Sequence, residues 1–579
     1  MIPHLLSVLL ALPLLGAVAL LFFPRQSPGA VRVFSLALLL LEFVISVAGL
    51  LCDPKVVFGA DYQLIEQIEW IPSLGIAYKL GIDGISLWLV LLTTLLTPIA
   101  LYSSWSSVNT KVKEYAIAFL LLQVGMLGAF VALDLFLFYV FWELMLVPMY
   151  LIIGIWGGPR RVYAAVKFFL YTMVGSLLML VAILYTVMQY KALAGHYSFD
   201  IQELTRLVLP VGAQYWLFIA FALAFAIKVP LFPFHTWLPD AHVEAPTGGS
   251  IILAAVLLKL GGYGFIRFAL PLFPYAAHKL APMFLAQFAV VGIIYGAYCA
   301  WVQKDVKKLV AYSSVSHLGF VMLGIFSMNA QGISGAILQM VSHGISTGAL
   351  FLLVGVIYDR RHTRELDEFG GLAKVMPVYA TLFVIITMSS VGLPGTNGFV
   401  GEFMILASTF VSGFGGAAGL PWPRTFAALA ATGVILAAIY MLHAVLKMFW
   451  GPLSNPKNQE LPDVSRRELR ALLPLVVFVF WIGLFPKTFL DSMEPSVGRF
   501  VKEYNAKLIA IYNDDSARLL EAFPAVQPEP EAMPEAPAAA AVSALSPKSD
   551  SLSRARVEAA RALRRARAGA ARALPGDAS

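Results

Sequence analysis

Cysteine is nearly absent: Cys52 and Cys299 are the two in a chain of 579 residues. No CxxC pair exists to hold zinc or an iron–sulfur cluster, and one bridge at most excludes a disulfide scaffold. Charge is scarce as well, with Asp, Glu, Lys and Arg at 13%, against roughly 25% in soluble domains. No G-x-G-x-x-G follows a strand-like run and no P-loop occurs, so the usual phosphate cradles are missing. Redox or nucleotide chemistry therefore belongs to other chains. The formal net charge of +7 is modest and follows from topology and the C-terminal tail, not from nucleic-acid binding.

What fills the chain is apolar. Hydrophobic residues make up 59% and mean hydropathy is +0.79, which places it among polytopic helical membrane proteins. A span needs roughly 20 apolar residues, and about fourteen such stretches occur. They lie near 2–22, 31–51, 82–102, 115–133, 135–156, 165–189, 214–236, 247–269, 282–302, 309–327, 332–358, 376–410, 425–450 and 470–490. The first has no basic lead and no small-residue cleavage site, so it reads as a retained span. Lys and Arg concentrate in the odd-numbered loops, from Arg25 and Arg32 through Lys304, Lys307 and Lys308 to Arg466, Arg467 and Arg470. By the positive-inside rule those loops face the cytoplasm and both termini face the opposite side. Loop seven, His235 to Thr247, has no Lys or Arg, which suits a segment folded back into the protein.

Two hydrophobic segments interrupt their own helices beside a charge. One reads Lys228-Val-Pro230-Leu-Phe-Pro233-Phe-His235; the other reads Gly392-Leu-Pro394-Gly395-Thr-Asn-Gly398-Phe-Val-Gly401-Glu402. Proline removes a helical hydrogen bond and clashes with the carbonyl four residues back, freeing the carbonyls of Ala226, Val229 and Ser390. In lipid such groups persist only where protein or water covers them. Paired discontinuous helices point to an ion path near the midplane.

Ionisable residues within the spans mark that path: Glu143, Lys228, Lys259, His317, His343 and Glu402. A central charge costs about 2.5–3.5 kcal/mol on insertion scales, so each needs a reason to be there. Buried pairing or polar glue between helices is the plainer reason; proton transfer is the functional one. His235 is the best entry-point residue in a polar segment with Asp240, His242 and Glu244, whose spacing matches no known metal site. Asp83 and Asp134 read as helix N-caps, and Lys447 as a residue snorkelling to the interface.

In combination these motifs resemble the antiporter-like proton-pumping subunits of respiratory complex I. The carrying segments are Asp134 to Glu143, Lys228 to His242, Leu257 to Gly264, Ala311 to His317, His343-Gly-Ile, and Gly392 to Glu402. Within that family the motifs look more like the chain M branch of bacterial NADH:quinone oxidoreductase, equivalent to mitochondrial NADH dehydrogenase subunit 4. The resemblance implies an all-α protein of about 14 spans with two inverted five-helix repeats, each holding a broken helix. Residues 1–112 would form helices 1–3, 113–270 the first repeat (helices 4–8), 271–452 the second (helices 9–13), and 453–510 helix 14 with its flanking segment. It implies that Glu143 and Lys228 form the first charge pair, that Lys259, His317 and His343 form the central axis, and that Glu402 is the terminal proton site. Sister subunits carry lysine where Glu402 stands, which favours chain M over chains L and N.

By the same resemblance, NADH, FMN, iron–sulfur clusters and quinone are cofactors of partner subunits and none belongs to this chain. Partners would be the membrane subunits of complex I, including sister subunits L and N, with phospholipid, protons and water; nucleic acid is not among them. The setting would be the bacterial plasma membrane, with the mitochondrial inner membrane second. The alternatives within the superfamily are a cation/proton antiporter subunit and a membrane hydrogenase subunit; outside it, a purely structural anchor. Residues 511–579 are a Pro/Ala/Glu-rich linker and a basic Ala/Arg tail, which reads as disordered, with anionic lipid or an acidic partner as its possible contact.

Overall fold

Four of the long helices begin on an Asp or Asn whose side chain accepts from N–H groups left free in the first turn. Asp83 takes Ile85 and Ser86, Asp134 takes Phe136 and Leu137, Asp305 takes Lys307 and Lys308, and Asn329 takes Gly332. In the computed structural model, which describes residues 3–412, 420 and 422–513, these caps start helices at the edge of an apolar slab. The linker and basic tail lie outside the described residues.

In chain order, helices α1 (Leu5–Leu21) and α2 (Pro28–Leu51) precede a hairpin of β1 (Gln63–Ile71) and β2 (Ile76–Ile82). Then come α3 (Gly84–Ser103), α4 (Val112–Val131), α5 (Leu135–Trp156), α6 (Arg161–Ala194) and α7 (Val211–Lys228). The short α8 (Trp237–Glu244) leads to α9 (Thr247–Leu272), α10 (Pro274–Trp301), α11 (Val306–Phe326) and α12 (Ala330–Arg361). The chain continues with α13 (Pro377–Val391), α14 (Asn397–Val411), α15 (Pro423–Phe449), α16 (Arg466–Leu484) and α17 (Lys487–Asn513).

Among the described residues, 11 helices are long and apolar enough to cross a membrane, or up to 12 if the bent pair α16–α17 is one span. Of the stretches expected from sequence, the first is the shorter α1. The one near 376–410 is split into α13 and α14, each of 15 residues. Helices α3, α9 and α12 bury their apolar windows completely, whereas α2 buries 28% and α6 and α15 39%. Apolar surface inside and out is the signature of helices that pack on protein at the centre and on lipid at the rim.

Both expected breaks are present, with differences from expectation. The stretch near 214–236 stops being helical at Lys228 and resumes at Trp237. The carbonyl that Pro230 strips of its helical partner, that of Ala226, is taken by the Leu231 N–H at 2.8 Å, and Trp237 Nε1 donates to the Ile227 carbonyl at 2.9 Å. Protein thus covers the Ala226 carbonyl, one of the three acceptors for which water was one candidate. The second break turns on Gly392 (φ 82°) and Gly395 (φ 91°), a region that L side chains avoid.

The hairpin pairs Gln63 with Ile82 and Ile71 with Ile76. Its second strand bridges Ala132 through Leu80, and the Ala77 N–H donates to Asp134. After a bend of 69°, α17 straps the same face. Ser496 accepts from the Gly84 N–H, Tyr504 donates to the Pro274 carbonyl, and Lys507 donates to the carbonyls of Thr205 and Pro271.

Candidate functional site

Lys259 sits in α9, one of the three helices whose apolar windows are completely buried. Its helix carries π-turns at Leu253–Leu257 and Phe265–Ala269, the form that α-helices take where an extra residue is inserted, often at functional sites. Lys259 is fully buried. Its Nζ donates to the Ala254 carbonyl at 2.6 Å and lies 2.7 Å from His343 Nδ1 on α12. An ammonium cut off from water needs such partners, since stranding one buried charge costs about 3–5 kcal/mol.

The line continues across α12. The His343 and His317 rings are 5.9 Å apart between centroids. His317 Nδ1 on α11 is 2.8 Å from Glu402 Oε1 on α14, and Gln339 Nε2 donates to the same oxygen at 2.9 Å. Tyr440 Oη on α15 stands 3.4 Å from His317 Nε2. Glu402 faces the second break: a Cβ on Gly392 would lie 3.4 Å from Oε2. His317, Gln339, Ser342, His343, Ser389 and Ser390 line a small cavity at that point. His343 Nε2, Ser342 Oγ and Ser390 Oγ have no protein partner, so the cavity offers ordered water three hydrogen-bonding groups.

The first repeat is arranged differently. Lys228, buried at the end of α7, places Nζ 5.0 Å from the centre of the Trp142 ring. Glu143 is the next residue on α5, and its Oε1 is buried without a partner. Among the described residues no ion pair joins Glu143 to Lys228: the ring face of Trp142 holds the ammonium while the carboxylate stands off. A desolvated cation–π contact is worth about 2 kcal/mol or more, enough to hold the lysine there.

His235 is not joined to these groups. It lies in the first break among Phe232, Tyr295 and Tyr312, with both ring nitrogens unpartnered. His242 stacks on Phe351 at 4.5 Å, also with both nitrogens unpartnered. Asp83 is an N-cap, as the sequence suggests, and also the bidentate partner of Arg267. Lys447 meets Asp367 at 2.5 Å at the surface, where the ammonium draws the exposed carboxyl below its usual range. Sequence reasoning overlooked Trp142, Gln339, Tyr440 and Arg267. Gln339 and Arg267 carried a signal, because they lie four residues before His343 and eight after Lys259, one and two turns away.

Known proteins fit this geometry. Residues 132–418 match the family model described as NADH:quinone oxidoreductase/Mrp antiporter, and residues 61–133 that of NADH-ubiquinone oxidoreductase chain 4, amino terminus. The NADH-quinone oxidoreductase subunit M of Rhodobacter capsulatus is 47% identical over 518 residues, covering 87% of this chain and 98% of that protein. NADH-ubiquinone oxidoreductase chain 4 of Arabidopsis thaliana is 43% identical over 499 residues, covering 86% and 97%. Among solved structures, a chain of respiratory complex I from Thermus thermophilus with bound NADH superposes with TM-score 0.76 at 34% identity, covering 86% of this chain and 99% of that one. A chain of the Mrp complex from Dietzia shares the fold at TM-score 0.73 and 20% identity, over 90% and 100% of the two chains. The chain belongs to the family of membrane subunits that includes NADH-quinone oxidoreductase subunit M and NADH-ubiquinone oxidoreductase chain 4.

Proposed function

We propose that this chain is a proton-translocating membrane subunit of an NADH:quinone oxidoreductase, and that its protons move along Glu143, Lys228, Lys259, His343, His317 and Glu402. One observation supports the residue assignment above the others. Two buried hydrogen-bonded pairs, Lys259–His343 and His317–Glu402, stand end to end with their histidine rings 5.9 Å apart. Each group gains or loses a proton without leaving its place, and the unpartnered cavity atoms beside them suit a water link.

Glu143 and Lys228 act as the switch. Burial weakens a lysine's hold on its proton and a close carboxylate strengthens it. The contact with Trp142 leaves the pair without a direct ion pair, so a closer approach of Glu143 is the move that tightens the lysine's hold on its proton. Moving one charge against about 200 mV takes roughly 4.6 kcal/mol. That equals roughly 3.4 tenfold steps in proton affinity at about 1.36 kcal/mol each, within the roughly 3–5 steps that burial can impose.

The quinone chemistry that drives the switch belongs to partner subunits. Cys52, just past the end of α2, and Cys299, on α10, offer no ligand set for an iron–sulfur cluster. The partners are the other membrane subunits of the complex, including sister subunits L and N, with phospholipid around the rim helices. The membrane is the bacterial plasma membrane, with both termini on the non-cytoplasmic side. His235, at the first break, serves as an entry residue. Residues 113–270 and 271–452 are the two repeats, each holding one break.

In reconstituted complex, Glu143→Ala and Lys228→Ala should each abolish or sharply reduce NADH-driven proton uptake. Full pumping by both variants would defeat the assignment.

A further inference from the structure

Lys259 lies on the helix that also carries Tyr263 and Arg267, so three polar residues follow one another at intervals of four toward the hairpin side. The last of them meets a pocket that opens on that side and is lined by Tyr62, Arg206, Arg267, Arg499, Glu503 and Lys507. A continuous polar route from this pocket to Lys259 would let protons reach the central axis from the side to which they are delivered. The pump would then leak.

The groups between pocket and lysine are all committed to bonds. Arg267 forks onto Asp83, with Nη1 2.9 Å from Oδ2 and Nη2 2.6 Å from Oδ1. Its Nη1 also donates to Tyr62 Oη at 2.9 Å, and its Nε donates to Tyr263 Oη at 3.1 Å. The guanidinium lies 5.1 and 5.2 Å from the centres of the Tyr62 and Tyr263 rings. Tyr263 spends its own proton on the Phe130 carbonyl at 2.8 Å. Asp83 Oδ1 further accepts from the N–H groups of Ile85 and Ser86.

Such an arrangement cannot relay a proton. Arginine does not deprotonate in proteins, and a fixed guanidinium in a narrow passage repels protons, as in channels that exclude them. Arg206 and Arg499 add positive charge at the rim, partly offset by Glu503 and by Asp61, which Arg499 holds at 2.8 Å.

We infer that the Asp83–Arg267 pair, braced by Tyr62 and Tyr263, is a proton barrier that closes the hairpin side of the membrane to Lys259. The inference rests on the proton-translocating role of Lys259 proposed above.

The test is a passive leak assay on whole complex in proteoliposomes, without NADH. A pH step is imposed with valinomycin and potassium present, and its decay is followed by an internal pH dye. The double variant Asp83→Asn with Arg267→Gln removes both charges while keeping amides that bond to each other. Its leak rate per complex should rise severalfold, and adding Lys259→Ala should return it to the wild-type rate. Arg267→Lys keeps the cation and should stay tight.

A tight double variant would overturn the proposal, as would a leaky Arg267→Lys or a leak indifferent to Lys259→Ala. Failure of the double variant to assemble would overturn it too, making the pair a strut. Because no turnover is involved, this result is separable from loss of pumping in Glu143 and Lys228 variants.

Discussion

At the residue scale, the charged positions could be read from sequence because each is costly in its span, but their partners could not. Trp142, Gln339 and Tyr440 raise no alarm in an apolar run, and Tyr440 meets His317 across 123 residues of chain. Trp142 makes the first prediction. Trp142→Ala removes a contact of about 2 kcal/mol under Lys228. It should lower the proton-to-electron ratio with normal assembly, and Trp142→Phe should lower it less. Glu402 makes the second. Glu402→Gln keeps hydrogen-bonding atoms beside His317 and Gln339 but binds no proton, so it should block pumping. Glu402→Lys should keep part of it, because His317 Nδ1 and a turned Gln339 amide can both accept from an ammonium. Proton uptake measured against NADH oxidation checks all four variants.

At the element scale, hydrophobic runs and prolines marked where helices lie and where two of them fail. The π-turns flanking Lys259 left no such trace, since they arise from packing between helices distant in sequence. They carry a consequence for hydrogen bonding. Deleting one residue from Leu253–Leu257 removes the extra residue and restores an ordinary α turn, while the helix beyond it keeps its facing. Lys259 then still faces His343 but loses the Ala254 carbonyl to the closed turn, and pumping should fall while the complex still inserts, as read by proton uptake and by subunit content.

Asp134 offers a pH test outside the spans. Burial pushes its carboxyl up to about 6, although three backbone N–H groups pull the other way. A carboxyl raised by the fold favours the folded state at low pH and loses that contribution as pH climbs through about 6. Asp134→Asn should therefore flatten the fall in thermal stability of the detergent-purified complex between about pH 4 and 6.

At the scale of the whole molecule, Lys and Arg placement was the sequence's guide to orientation, and it yields a direct measurement. With Cys52 first replaced by serine and cysteine placed in turn at Arg466 and at Asn329, a membrane-impermeant maleimide applied to intact spheroplasts should label the second and spare the first. The strap made by α17 could not be foreseen, because its bonds run to loops made hundreds of residues earlier. It also sets an order of events during synthesis. Spans emerge and insert one after another, but the pocket above Arg267 gains Arg499, Glu503 and Lys507 only when α17 leaves the ribosome. Until then the hairpin face of the newborn chain stands unroofed, and nascent chains stopped before residue 487 should expose Tyr62 to reagents that the finished protein turns away.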